Sequence, residues 1–593
     1  MSMSRPKSFL NGRPRPLFVW LMLLVLTSAM LPAPVVQALP PTQAIDRQDA
    51  PPGYEASLPG NADPVFTAEE RLWQQIEAAY NAGDRVALTA LTQELAQGDL
   101  PAAIRLAREL TPPAKRPAPA PIGPISREEE LQQGAADAAH RAELLRQEAI
   151  SRAQALRPTP ADDEKWTTPP GDAAPQRPAA TLTVGDSCTY VSIQAAVNAA
   201  ASGDTIRVQA KTFTGANATV NINAKSLTIS GGWNSTCTAQ GSSRTVMDAT
   251  GRGDSVFEIY GGAGPLTTII DLFELRGGEN DADFGGGLEI DNQNTVTLRR
   301  TYVTENDSNV GGGVHMSADA ALNLEDESFV YLNNALAGDG GGVYCSGGVI
   351  NIRRDSYVGF VFFVNFPNNA SGNGGGLYLD DCNAYLDGAG AEYAVIAGNT
   401  ATNGGGIYAL NNSYIALGGS NAVIGVNSAS NSGGGVYLAG AADLYATNGS
   451  ISNNTASGLG GGVYATDDFS TLDMDLNVAQ PCNGKCTQIS NNTAGNYGGA
   501  VYLTLGADLD FDGVYAEGNS GSLGSAFYAR GEAYVNLYNV MATDNTATSN
   551  YTLRLLDDFG APDATVRNST FAGNGGQSRS FGIDTGTRLD GDE

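Results

Sequence analysis

An all-β main domain wound as a right-handed parallel β-helix is the fold class this sequence predicts, and three observations carry it. A glycine-rich block followed by an aliphatic residue, and in most copies by tyrosine, recurs nine times from Gly285 onward. Short runs between the blocks, such as 442–446, alternate apolar and polar residues with a period of two and are parted by Gly, Asn and Ser. Helix signals nearly vanish after residue 180.

The N-terminal elements come first. Residues 1–38 read as a signal peptide: Arg5, Lys7, Arg13 and Arg15 lead, the apolar run 17–30 is short for a bilayer, and Val36-Gln37-Ala38 offers small-residue cleavage. Export to the extracellular space or cell surface is therefore expected, with no transmembrane segment in the mature chain. Residues 39–65 form a Pro-rich linker. Residues 66–110 read helical, with Leu72, Ile76 and Ala79 at helical spacing. A stiff Pro-rich linker, 111–125, precedes a helix over 126–157 with a sparse stripe of Leu131, Leu144, Leu145 and Ile150. A further linker covers 158–180.

The β-helix is expected over 181–576. It opens on a short helix with Ile193, Ala196, Val197 and Ala200 on one face, stopped by Gly203-Asp204. Such a helix suits the open apolar end of a strand array, as an N-terminal cap. The blocks start at Gly285, Gly311, Gly340, Gly374, Gly404, Gly433, Gly460, Gly498 and Gly524, spaced by 26, 29, 34, 30, 29, 27, 38 and 26 residues. That is a solenoid signature. One unit cannot bury its apolar face alone, whereas stacked units about 4.8 Å apart can, and strand crossovers take the right hand. The glycines suit a corner that needs positive φ and close backbone approach. Asparagines upstream of the blocks, at Asn399, Asn427, Asn454 and Asn492, are expected to stack as an amide ladder. Residues 577–593 read as a polar tail.

Charge narrows the partners. The chain carries 63 acidic and 34 basic residues, net −29, and no Lys or Arg between Asp355 and Gly484. Such a surface repels phosphate backbones, which excludes nucleic-acid binding. Six cysteines in an exported chain suggest three bridges, and pairing near in sequence joins Cys188 to Cys237, Cys345 to Cys382 and Cys482 to Cys486.

The GGG/GGA-[VIL] corner with its upstream Ile-x-x-Asn element (IAGN, IGVN and ISNN twice) resembles the GGA[ILV] and FxxN repeats of polymorphic outer membrane proteins. More broadly, the chain is similar to the pectin-lyase-like β-helix superfamily. The resemblance covers roughly 181–576 and implies a surface or adhesin-type protein, although the family's membrane-anchoring barrel does not follow the repeats.

Three chemistries present themselves. The superfamily's hydrolase motifs are absent, and a lyase would draw its base from Arg299, Arg300, Arg353 or Arg354, beside Asp355, with Ca²⁺ on carboxylates. A calcium ladder is the second: alternation turns Asp473 and Asp475, Asp508, Asp510 and Asp512, and Asp443 one coil earlier, outward. The run DLDFDG resembles an EF-hand start, but its twelfth position is Asn519 rather than Glu. The third is aromatic. Tyr344, Tyr378, Tyr408, Tyr437, Tyr464, Tyr502 and Tyr528 share one place after the glycines; as a row they either stabilise the sheet as a stack beneath inter-strand loops or, if uncovered, form an outward stripe that would bind glycan or protein. The expected function is non-enzymatic adhesion or surface interaction, with a glycan or a host or neighbouring cell-surface protein as partner. No cofactor is required, with Ca²⁺ the candidate at the acidic ladder. A Ca²⁺-dependent polysaccharide lyase or a structural envelope component are the alternatives.

Overall fold

The computed structural model describes residues 179–593 apart from 263–264, 281–284, 362–364, 389, 391, 477–486, 559, 577–578, 585–586 and 593. The signal peptide, linkers and helices expected up to residue 178 lie outside these residues, as do Cys482 and Cys486. Among the described residues, no helix is long and apolar enough to cross a membrane.

The strands wind as a parallel β-solenoid of right-handed type with about 13 turns. Three parallel sheets of 25, 13 and 11 strands run along it. Alternation decides which side chains turn inward. In Asp443–Thr447, Thr471–Asp475 and Asp508–Asp512, every second residue is buried. Registered pairing then stacks like on like: Leu444, Leu472, Leu509 and Val535 form one interior column, and Val436, Val463, Val501 and Phe527 another. The interior is one continuous apolar cluster, so each coil supplies the wall its neighbour lacks.

At the N-terminal end, helix α1 (Ile193–Ala199) buries Ile193, Ala196 and Val197, and Ser192 caps it by accepting from the Ala195 amide at 3.2 Å. Gln194 exchanges two hydrogen bonds with the backbone of Asn221, at 2.7 and 3.1 Å. The strand Val220–Asn223 thus has its exposed edge met by a side chain.

The corner glycines have separate reasons, clear at Gly460–Gly462. Gly460 has φ of 61°. A Cβ on Gly461 would stand 2.4 Å from the Thr493 carbonyl carbon, and one on Gly462 2.6 Å from the Ala500 carbonyl oxygen. Against the third glycine of this corner, ten asparagines form the expected amide ladder: Asn306, Asn333, Asn368, Asn399, Asn427, Asn454, Asn492, Asn519, Asn545 and Asn574. Each Nδ2 donates to the next Oδ1 at 2.9–3.1 Å. Each also donates to a backbone carbonyl one coil back, as Asn427 does to Ile396 at 3.0 Å.

Disulfides join Cys188 to Cys237 and Cys345 to Cys382. The expected polar tail needs correction. Phe581–Ile583 pairs with Leu553–Leu556, and Arg588–Asp592 with Asp563–Arg567, so within 577–593 these two strands continue the solenoid. The preceding coil templates these strands through its backbone, and Leu589 packs against the core.

Candidate functional site

Outward residues of the 25-stranded sheet also stack in columns, and the columns define the candidate surfaces. The seven tyrosines are in register, with neighbouring ring centroids 4.5–5.5 Å apart. Of the two readings of this row, the covered stack holds for most of them. Tyr408, Tyr437, Tyr464, Tyr502 and Tyr528 are buried, packed with Leu410, Leu459, Tyr497, Leu523 and Leu556. The cause is local: Leu459, Tyr497 and Leu523 each precede a glycine block and fold back over the rings. Only Tyr344 and Tyr378 are partly exposed, and burial raises the pKa of both phenols. These rings are chiefly a second packing seam.

The acidic residues do face outward. Asp473 stands in register with Asp510, and Asp475 with Asp512. Asp443 is set on Thr471, which in turn meets Asp508, so threonine interrupts that column. Partial burial, then Asp475 and Asp510 beside it, push Asp473 up to about 6. Asp475, Asp508 and Asp510 are raised by the same causes, and Asp443 chiefly by burial. The carboxylates lie side by side rather than converging. Among the described residues, this array does not bring three ligand oxygens within 4.8 Å of one another.

Toward the N-terminus the same sheet face is neutralised. Glu325, only 4 % exposed at its side chain, receives Arg299 at 3.4 Å, Arg354 at 3.3 Å and Arg353. Burial raises its pKa, but the hydrogen bond from Arg353 and the three guanidinium charges outweigh that and hold it below the usual carboxylate range. Arg300 grips Asp271 through two bonds of 2.9 and 2.6 Å. Asp355 accepts from the Tyr393 amide at 3.1 Å. The four arginines offered as lyase bases are thus each committed to carboxylates.

Beside them lies an open groove of about 550 Å³, lined by Arg207, Ser230, Trp233, Asp271, Arg299 and Arg300 among others. Trp233 ends the strand Leu227–Trp233, and its Nε1 donates to Ser230 Oγ at 3.1 Å. Arg207 lies over the indole, its guanidinium carbon 4.2 Å from the ring centroid. Sequence reasoning missed this pair. They stand 26 positions apart with no motif between them, and only coil-by-coil alignment brings them together.

One more cluster sits at the head of the tyrosine column. Glu289 is in register with His315, and His315 with Tyr344. Asp291 lies two residues beyond Glu289, and ligand atoms of Glu289, Asp291 and His315 all fall within 4.8 Å of one another. His315 is 7 % exposed and stacks on Tyr344 at 5.2 Å with 6° between the planes. Ser317 Oγ donates to Asp291. Burial, only partly offset by Asp291, pushes the His315 pKa down to about 4.

No protein-family model matches the chain, and no curated protein or solved structure matches it.

Proposed function

We propose that this is an exported, non-enzymatic surface-interaction protein of adhesin type that holds an anionic glycan in the groove beside Trp233. The carrying observation is Arg207 laid over the indole inside an open groove. Stacking on the indole holds the guanidinium in place, and its N–H groups pair with a carboxylate or sulfate of a glycan lying in the groove. In a chain of net charge −29, such a cationic spot selects for an anion it can clasp closely. The signal peptide expected over 1–38 and the resemblance of the repeats to those of polymorphic outer membrane proteins support a surface setting.

The alternative, a Ca²⁺-dependent lyase, needs an unengaged base next to a cation site. Its candidate arginines hold carboxylates instead. The acidic array begins at Asp443, six strand steps from Asp271, about 30 Å at the usual strand spacing. A glycan array of carboxylated, sulfated and neutral oligosaccharides tests the proposal. Binding to the anionic members, weakened about tenfold or more by Arg207→Ala and by Trp233→Ala, supports it. Release of unsaturated products from uronate polymers in the presence of Ca²⁺, or silence across the array, overturns it.

A further inference from the structure

A second site stands apart from the groove and does not depend on the glycan reading. From residue 344 to residue 528 one outward column is all tyrosine, but in the three coils before it the residues are Glu258, Glu289 and His315. The repeat that builds a packing seam thus changes, within one step, to side chains whose common property is ligation. Asp291, just past the end of the strand Leu288–Ile290, adds a third donor.

We infer that Glu289, Asp291 and His315 form a binding site for a divalent transition-metal ion of the Zn²⁺ class. Among the described residues they are the one set of three His, Cys, Asp or Glu side chains whose ligand atoms converge to within 4.8 Å. Zinc bonds of about 2.0–2.2 Å put tetrahedral donors roughly 3.4 Å apart, so shifts of about 1 Å close the set. One imidazole and two carboxylates with a fourth position left to water is a donor count that zinc accepts. Calcium takes six to eight oxygens and has little use for an imidazole.

Two features of the surroundings favour ligation. The stack on Tyr344 fixes the plane of the imidazole, and with it the directions in which its nitrogens point. The hydrogen bond from Ser317 orients Asp291, as an outer partner of a ligating carboxylate does. Glu289 and Asp291 are partly exposed, which leaves the ion a way in from solvent.

The test uses the full chain after treatment with chelator. Zn²⁺, Co²⁺, Mn²⁺ and Ca²⁺ are each titrated calorimetrically near neutral pH. A single Zn²⁺ or Co²⁺ per chain is expected, with affinity lost by about 100-fold in His315→Ala and at least tenfold in Glu289→Gln. The sequence holds only two histidines, His140 and His315, so isotope-labelled imidazole signals separate cleanly. Co²⁺ should shift the His315 signals and leave those of His140. Should His315→Ala fail to fold, Glu289→Gln, which keeps the side-chain shape, decides. Zn²⁺ binding unchanged in either folded variant, a His315 signal unmoved by Co²⁺, or a preference for Ca²⁺ each overturns the inference.

Discussion

The two halves of the 25-stranded sheet share one interior and differ on the outside. In the N-terminal half, Asp271, Arg299 and Glu325 stand in register and Arg353 bonds back to Glu325, so opposite charges alternate along the column. In the C-terminal half the corresponding columns hold Asp473 on Asp510 and Asp475 on Asp512, with like charges stacked. The neighbouring column changes the other way, from Glu258, Glu289 and His315 to a run of closed tyrosines. Apolar side chains turned inward satisfy the solenoid everywhere, and stacking leaves each outward column free to settle its own chemistry. Stability should therefore come from the aromatic seam at one end and from ion pairing at the other.

Four outcomes would break or sharpen that contrast. The largest concerns the seam. Tyr464→Ala empties a site that is 1 % exposed and should cost about 3–4 kcal/mol, whereas Tyr344→Ala, at the open end, should cost about half as much. Hydrogen exchange of peptides from each coil measures both, and equal losses would erase the distinction. Next comes the ion cluster. Glu325→Gln leaves three guanidinium groups facing one another without their shared anion. The side chains of Arg299, Arg353 and Arg354 are 41–47 % exposed, so about 1–2 kcal/mol is expected rather than the larger cost of a fully buried pair.

The third outcome has the opposite sign. Asp473→Asn should stabilise its coil by about 0.5–1 kcal/mol at neutral pH, since it removes a like-charge contact. The pH dependence follows from the raised carboxyl. Folded Asp473 keeps its proton up to about pH 6 against 3.8 for the ordinary group, so the folded chain binds more protons in that window. Stability from this residue is then present at low pH and lost as pH rises from about 4 to 6. Thermal unfolding of wild type and variant should therefore converge below about pH 4 and separate above about pH 6. The smallest effect is that of salt. Near 1 M NaCl the Debye length falls to about 3 Å, so protection should drop by a few tenths of a kcal/mol around Glu325 and rise by a similar amount around Asp473.

Much of this was legible in the residues. The nine glycine blocks and the Ile-x-x-Asn element specify the coil and the amide ladder because both are needed in every turn. Alternation in Thr471–Asp475 and Asp508–Asp512 was enough to place the carboxylates outside. A tyrosine stack lying beneath loops was legible, but which residues cover it was not, because those before the glycines vary from Leu459 to Tyr497 to Leu523 and form no motif. Asp443 was likewise placed one coil before Thr471–Asp475 and facing outward, while its partner Thr471 emerges only from the register. The His315 column was visible in principle, since aligned blocks put Glu289, His315 and Tyr344 in one position. Two departures from tyrosine read there as exceptions, and only the fold makes them neighbours.

The amide ladder also bears on how the chain comes together and apart. Each link spans only 26 to 38 residues, the length of one turn, although the ladder runs from Asn306 to Asn574. No turn has to wait for a distant part of the chain, so the loop closed at each step stays short and growth proceeds like a zipper from any formed turn. The same arithmetic holds under load. A chain pulled from one end surrenders a turn at a time, each release exposing one buried asparagine and leaving the next still held.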